Sequence, residues 1–248
     1  NATYGMAAVW NGFAVVFSGQ SLKNRASASG AVFATQGSGY TANFTDRPGW
    51  ASFVAADNTR APFQALGGLN IYGWTIRCAA RSLQTITTAT DFVPICHGQN
   101  GWTGSYPSYY YNYLAQYATT YKLHGHSRNY NTSSSTDKSS DVVSTNSNVF
   151  PSNEDESIAW TVASYTHNLF VNGVNVGSAT SANYTNNSSK MNAPGLTIGS
   201  LSYAGYNKFA GFVTDAYLAL GAMDVNRLKA EHDNWNWAKA GKGFYIIA

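Results

Sequence analysis

The segment HNLFVNGVNVG, residues 167–177, decides the fold more than any other stretch of this chain. Two short runs rich in β-forming residues, 169–171 (LFV) and 174–176 (VNV), flank Asn172 and Gly173. A type I′ turn requires a positive φ at both central residues, which Asn and Gly tolerate. The segment therefore predicts a β-hairpin with a two-residue turn.

The residues that follow the hairpin continue as short strands. Residues 196–199 (LTIG) and 209–218 (FAGFVTDAYL) predict two more strands. Residues 223–232 (MDVNRLKAEH) have helical spacing, and Asp224 is placed to cap the first turn of that helix. This order of elements is typical of the end of a β-sandwich.

Alternation of apolar and polar residues is clearest in residues 74–81 (WTIRCAAR). Every second residue from Trp74 is apolar, and these residues share one face of a strand. Thr75, Arg77 and Arg81 fall on the other face. This period of two predicts a half-buried strand.

Other segments complete the expected sandwich. Residues 14–17 (AVVF) and 51–54 (ASFV) are strand candidates that lie between Gly- and Ser-rich turns. A strand at 157–163 must pair with N-terminal strands if the hairpin is to close a core. The polar tract 131–148 (NTSSSTDKSSDVVSTNSN) predicts a long exposed loop.

The two cysteines, Cys78 and Cys96, allow two interpretations. If residues 74–81 and 92–97 form a hairpin centred near Thr87, the two sulfur atoms lie opposite each other and are close enough to bridge. The alternative is a pair of buried free thiols. Two cysteines alone form neither a zinc site nor a redox motif at this spacing.

Length and composition restrict the class of protein. We expect a single domain over residues 1–248, because all-β sandwiches commonly reach this length as one unit. The net charge is +3 and the basic residues are scattered, which argues against nucleic acid as a partner. No apolar run approaches the roughly 20 residues that span a bilayer. The start lacks the pattern of a signal peptide, so we expect a mature product or a piece of a longer chain.

An ordered set of motifs resembles the closing half of laminin-G-like, concanavalin A-like jelly-roll domains. The set comprises 160–163 (WTVA), the hairpin, 195–200 (GLTIGS) and 209–234. The opening residues 8–17 and the segment GWTIRCAARS resemble bacterial and phage members more loosely. The resemblance implies an all-β fold, a two-sheet antiparallel jelly-roll sandwich with one short C-terminal helix.

Aromatic residues are unusually dense between residues 102 and 130. Aromatic faces stack on the C–H faces of sugars and Tyr hydroxyls bond sugar hydroxyls, but similar rings also serve protein interfaces. Alternating Tyr residues along a strand can instead simply pack a sheet face. The candidate ligand-binding residues are Trp102, Tyr106, Tyr109, Tyr110, Tyr111 and Tyr130.

The only acidic cluster, Glu154-Asp155-Glu156, is a weak catalytic candidate. Glycoside hydrolysis uses a pair of carboxylates, and jelly-roll glucanases carry theirs at alternate positions of a strand. Here the acids are contiguous, so Asp155 would point away from its two neighbours. The cluster follows Pro151 and predicts a solvated turn.

The sequence contains candidate residues for two kinds of metal site. His124 and His126 occupy alternate positions and would share a face of a strand, with His97 elsewhere, but no carboxylate or cysteine lies nearby in the sequence. Laminin-G-like relatives often hold Ca²⁺ at the rim of the sandwich, and calcium prefers several oxygen ligands. The resemblance assigns Asp57, Asn58 and Asp215 to such a site. The alternatives are an ordinary Asx turn at 57–58 and an exposed strand residue at 215.

These observations favour a non-catalytic recognition module. We expect it to bind carbohydrate or a cell-surface receptor as part of a phage virion fibre or spike, or of a secreted adhesin. Its location would be extracellular or on the virion surface. One alternative is a structural virion or filament subunit that contacts itself or other virion subunits. Another is a polysaccharide hydrolase or lyase.

Overall fold

The structure is a computed structural model that describes most of the two sheets and the C-terminal helix. The described residues are 13–21, 33, 40–42, 44–54, 61–63, 73–84, 92–99, 110–117, 120–131, 136–180, 194–200 and 208–239. The strands in these ranges are β1 (Phe13–Phe17), β2 (Ala51–Phe53), β3 (Ala61–Phe63), β4 (Gly73–Ser82), β5 (Phe92–Gln99), β6 (Tyr110–Gln116), β7 (Leu123–Asn131), β8 (Thr136–Val143), β9 (Glu156–Ala163), β10 (Thr166–Val171), β11 (Val174–Thr180), β12 (Pro194–Ile198) and β13 (Gly211–Leu220). A helix, α1, follows at Val225–Lys239.

The strands form two antiparallel sheets. The seven-stranded sheet has the order β1-β13-β4-β9-β10-β11, with β2 also paired to β13. The six-stranded sheet has the order β3-β12-β5-β6-β7-β8. The predicted two-sheet antiparallel sandwich with one C-terminal helix is confirmed. Strand β9 pairs with β4, as the sequence required for closure of the core.

The core lies between the two sheets and is built from large apolar side chains. Trp74 of β4 and Trp160 of β9 meet edge to face, with ring centroids 4.8 Å apart. Ile95 and Leu114 face them from the six-stranded sheet, and all four side chains are fully buried. Burial of each such side chain contributes about 1.5–3 kcal/mol to stability.

The hairpin has the predicted type I′ turn. Asn172 and Gly173 have φ angles of 54° and 75°. The Asn172 side chain accepts a hydrogen bond from the backbone N–H of Ser157 at 3.0 Å and donates one to the Glu156 carboxylate. A Cβ atom on Gly173 would lie 2.5 Å from the Cα of Lys229, so α1 packs directly on this turn.

Strand β4 is buried on both faces, so the prediction of a half-buried strand was wrong. The guanidinium group of Arg77, on the polar face, lies 3.7 Å from the carboxylate of Glu231 on α1. Tyr217 donates a hydrogen bond to the same carboxylate at 2.5 Å. The helix therefore covers part of the outer face of the seven-stranded sheet, and a buried ion pair explains the presence of Arg77 there.

The helix begins where the sequence predicted it. The backbone N–H of Arg227 donates to the Asp224 carboxylate at 2.9 Å, which is the expected cap. The helix ends at Lys239, beyond the predicted residue 232. No helix among the described residues has the length and apolar character needed to cross a membrane.

The polar tract 131–148 contains a strand, so the prediction of a long exposed loop was wrong. Strand β8 pairs with β7 through the whole of Thr136–Val143. It stands last in the order of the six-stranded sheet. Edge strands carry polar and charged residues more often than central ones, which is why composition alone suggested a loop.

Cys78 and Cys96 are buried free thiols. Their strands, β4 and β5, belong to different sheets, so the hairpin that would have paired the two sulfur atoms is not formed. Burial raises the pKa of the Cys78 thiol, which disfavours the reactive thiolate. The second interpretation of the cysteines is confirmed.

Candidate functional site

Strands β6, β7 and β8 place a row of polar and aromatic side chains on the outer face of the six-stranded sheet. Tyr113 is paired with His126, and His126 is paired with Asp141. Leu114 and Val142 belong to the core between the sheets. Because successive residues of a strand point to opposite faces, their neighbours in sequence point away from the core. We call this surface the outer face of β6–β8.

Two histidines and one aspartate converge there, and we call His124, His126 and Asp141 the His–Asp cluster. The Nε2 atom of His124 lies 2.9 Å from Oδ1 of Asp141, and Nδ1 of His126 contacts the same oxygen. One ring nitrogen of each histidine and a carboxylate oxygen all lie within 4.8 Å of one another. The side chains of the two histidines are 9% and 17% exposed and that of Asp141 is 52% exposed, so solvent reaches the cluster from the aspartate.

The charge of Asp141 is stabilised by its neighbours. Hydrogen bonds from His124 and His126 hold the pKa of the carboxyl group well below its usual range, although partial burial opposes them. The carboxylate therefore stays ionised throughout the neutral and mildly acidic range. The cluster presents a fixed negative charge between two imidazole rings.

The glycine of the His-Gly-His triplet has a role in the core. An ideal Cβ on Gly125 would lie 3.0 Å from the Trp160 ring and 3.0 Å from Val142. The strand can approach the core this closely only without a side chain at this position. Gly125 thus faces inward while the histidines on either side of it face outward, as the alternation in the sequence predicted.

Two tyrosine rings pack against the cluster. The Tyr113 ring is tilted against His126 with centroids 5.1 Å apart, and Tyr117 meets His124 edge to face at 5.4 Å. Tyr113 is buried in a small apolar cluster with Val93, Cys96 and Ala115. Tyr117 is 39% exposed, so its ring is accessible to a ligand whereas that of Tyr113 supports the histidines.

The predicted aromatic residues fall only partly within the described ranges. Tyr110 and Tyr111 belong to β6, which pairs with β7, and Tyr130 belongs to β7, the strand that carries His124 and His126. The backbone of Tyr111 pairs with Arg128, and that of Tyr130 pairs with Asp137. Trp102, Tyr106 and Tyr109 lie outside the described residues. Their role in ligand binding stays a prediction.

The predicted calcium site is also described only in part. Asp57 and Asn58 lie outside the described residues. Asp215 sits at an irregularity of β13 with a φ of 46°, where the register with β4 shifts. Its backbone carbonyl accepts a hydrogen bond from Arg77 at 3.5 Å. Calcium binding by these three residues stays a prediction.

Two of the three acidic residues in the cluster 154–156 form contacts within the fold. Glu154 is exposed as predicted, but Asp155 lies 2.5 Å from the guanidinium group of Arg47 and 3.4 Å from that of Arg81. Glu156 is buried and accepts a hydrogen bond from Asn172. The solvated-turn prediction was therefore wrong for Asp155 and Glu156, whose carboxylates hold neighbouring segments together.

His97 is separate from the His–Asp cluster. It is fully buried in the sandwich, where its ring meets that of Trp74 at 5.3 Å. Burial lowers the pKa of His97 to about 3, so the ring is neutral at ordinary pH. This histidine belongs to the core.

The two antiparallel sheets define a β-sandwich domain. No protein-family model and no curated protein matches this chain by sequence. Among solved structures, the binding domain of paraclostridial mosquitocidal protein 1 is similar at 11% identity and a TM-score of 0.60, covering 92% of this chain and 53% of that one. The binding domain of botulinum neurotoxin DC in complex with SialylT is 9% identical with a TM-score of 0.58, covering 90% and 51%.

A third similar structure is a smaller domain. Domain 4 of AbnA, an extracellular GH43 arabinanase from Geobacillus stearothermophilus, in complex with arabinotriose, is 14% identical with a TM-score of 0.56, covering 88% of this chain and 97% of that one. The present chain spans about half the length of the two toxin structures. At these identities the likeness shows the fold alone, so the narrower resemblance to laminin-G-like domains stays a prediction.

Proposed function

We propose that this chain is a non-catalytic recognition module that binds carbohydrate, free or on a cell-surface receptor, on the outer face of β6–β8. The observation that carries the proposal is the exposed Tyr117 ring beside the His–Asp cluster. An aromatic face next to hydrogen-bonding groups suits a sugar, which has apolar C–H faces and a rim of hydroxyl groups. Asp141 offers carboxylate oxygens to those hydroxyls.

The similar structures support a saccharide as the ligand. One of them is a domain in complex with arabinotriose, and another is a toxin binding domain in complex with SialylT. Both share the sandwich architecture with this chain, although neither shares enough sequence to carry its binding site over. The support is that a sandwich of this kind serves recognition in those proteins.

The acidic residues support recognition over hydrolysis. Glycoside hydrolysis requires two carboxyl groups on either side of one bond. Asp155 is held by Arg47 and Arg81, and Glu156 is held by Asn172. The exposed carboxylate of Asp141 has histidines as its partners in the described cluster. We therefore expect no release of reducing sugar from a panel of polysaccharides.

The proposal takes the chain as one domain in an extracellular setting. Strand β1 pairs with β13, which joins the two ends of the described sequence in one sheet. The setting, a phage fibre or spike or a secreted adhesin, rests on the resemblance of the opening residues to bacterial and phage proteins. Light scattering would show whether the chain also self-associates, as a virion subunit would, because a strict monomer argues against assembly.

A matched pair of tyrosine variants tests the binding face. We expect Tyr117→Ala to weaken binding to the best ligand of a glycan array about three- to ten-fold, the effect of losing one stacked ring. Tyr165 is also exposed but lies at the β9–β10 turn of the other sheet, so Tyr165→Ala is the control. Equal affinities in the two variants would exclude this face as the binding site.

A second set of variants tests the predicted aromatic residues. Replacement of Trp102, Tyr109 and Tyr110 together by Ala should abolish glycan-array binding if these rings extend the surface around Tyr117. Unchanged binding would restrict the site to the described part of the outer face. Circular dichroism would confirm that the triple variant keeps its sheet content.

A further inference from the structure

Three side chains on the outer face of β6–β8 are of the types that bind transition metals. His124 and His126 are two residues apart on β7, which places their Cα atoms about 7 Å apart on the same side of the strand. Asp141 is directly opposite His126 on β8. One ion between them could reach all three side chains, because their ligand atoms already lie within 4.8 Å of one another.

We propose that His124, His126 and Asp141 bind one divalent first-row transition ion, with Zn²⁺ as the expected occupant. The site goes beyond the proposed carbohydrate binding and does not depend on it, since it needs only these three side chains. Two imidazoles and one carboxylate form a known ligand set for zinc that leaves a fourth position open. A water molecule would take the fourth position.

The ligand types also exclude calcium as the preferred ion. Ca²⁺ takes six to eight oxygen ligands, and this cluster supplies one carboxylate with two nitrogen-bearing rings. Imidazole nitrogen favours zinc, copper, nickel and iron. Calcium therefore serves as the discriminating negative control for this site, and the predicted rim site at Asp57, Asn58 and Asp215 is a separate question.

The protein itself holds the side chains of the His–Asp cluster in place. The rings of Tyr113 and Tyr117 pack against His126 and His124, and the side chains of both histidines are largely buried. The Asp141 carboxylate joins the two imidazoles by hydrogen bonds. An ion would replace these hydrogen bonds without requiring a large movement, because the same atoms would become its ligands. Side chains locked in this way lose little freedom on binding.

Calorimetry of the whole chain, without an affinity tag and after treatment with EDTA, tests the site. Titration with ZnCl₂ should show one ion per chain, and CaCl₂ should show no binding here. His126→Gln and Asp141→Asn should each lower zinc affinity at least about ten-fold, since even loss of a group that only orients a metal ligand costs that much. The control is His232→Gln on α1, which removes a partly exposed histidine outside the cluster and should leave affinity unchanged.

Cobalt gives an independent readout of the same site. Co²⁺ in place of Zn²⁺ should produce visible absorption that is lost in Asp141→Asn, a variant of nearly the same shape, and kept in His232→Gln. Absence of stoichiometric zinc binding by the unmodified chain, or equal affinity in the cluster variants and the control, would overturn the proposal. Glycan-array binding measured in EDTA separates the two proposals, since it depends on the tyrosine ring and not on the ion.

Discussion

The two sheets both carry charged groups on their outer faces, and they use them in opposite ways. Between the seven-stranded sheet and α1, Arg77 and Glu231 are 1% and 2% exposed, and Tyr217 donates a hydrogen bond to Glu231. On the six-stranded sheet, the side chain of Asp141 is 52% exposed between two histidines. A buried charge needs a fixed partner, whereas an exposed one can exchange its partners for a ligand. The difference in burial therefore distinguishes the structural ion pair of Arg77 and Glu231 from the candidate site at Asp141.

Removal of a charge from the covered network should have the largest effect on stability. Glu231→Ala leaves the buried guanidinium of Arg77 without its carboxylate, which should cost about 3–5 kcal/mol of unfolding free energy in a urea titration. Asp233→Ala is the matched control, because Asp233 forms an exposed pair with Lys229 on the same helix and should cost less than about 1 kcal/mol. Similar losses in both variants would mean that burial of the network does not matter.

The contact between the hairpin and the helix should come next. Gly173→Ala should cost about 2–3 kcal/mol, because the new Cβ meets the Lys229 backbone at a positive φ. Gly221 also has a positive φ, 93°, but no atom within 4 Å of its ideal Cβ. Gly221→Ala should therefore show only the backbone strain, about 1 kcal/mol. Equal losses of unfolding free energy in the two glycine variants would show that α1 moves away from the turn easily.

The buried His97 should make stability depend on acidity. Burial lowers its pKa to about 3, whereas the unfolded value is about 6.5. Between these two pKa values the imidazole is protonated in the unfolded chain but not in the folded chain. The free energy of unfolding is therefore highest above about pH 6.5 and falls as the pH drops toward 3. His97→Gln should reduce the slope of unfolding free energy between pH 6 and 4 by about 1.4 kcal/mol per pH unit.

A second buried histidine also contributes to the pH dependence of the free energy of unfolding. His167 is also buried with its pKa lowered to about 4, so part of the slope should remain in the His97 variant. The reference for the comparison is the slope of the unmodified chain. A slope that does not change in His97→Gln would contradict the assignment of His97 to the core.

The exposed cluster should have the smallest effect on stability. Asp141→Asn removes the negative charge that accepts hydrogen bonds from the two histidines, but solvent screens this half-exposed group, so the cost at pH 7 should stay below about 1 kcal/mol. Since the pKa of Asp141 is depressed in the folded state, this contribution is present above about pH 4 and is lost as pH falls further. If Asp141→Asn lowered the free energy of unfolding as much as Glu231→Ala does, the His–Asp cluster would have a structural role.

Local signals in the sequence predicted much of the fold. The Asn172-Gly173 turn, the alternation from Trp74 and the cap at Asp224 each depend on residues close together in the chain, and the structure confirms the elements that they define. The burial of β4 could not be predicted in the same way, because the carboxylate that accepts Arg77 comes from a helix far along the chain.

Of the candidate site, the sequence predicted the two histidines but not the aspartate. Alternation placed His124 and His126 on one face of a strand, and the structure confirms this arrangement. Asp141 was missed because it lies in a tract whose composition suggested a loop. Only the register between β7 and β8 brings Asp141 opposite His126, and that register could not be considered while β8 was not recognised as a strand.

The missing side chain of Gly125 links the interior of the sandwich to its surface. The backbone between the two histidines lies close to the Trp160 ring, so that ring limits how deeply β7 can sink toward the core. A smaller ring at position 160 would let β7 sink and would shift both imidazoles relative to Asp141 on β8, without any change on the surface. Ligand preference at the outer face could thus be tuned by repacking an interior residue that no ligand ever touches.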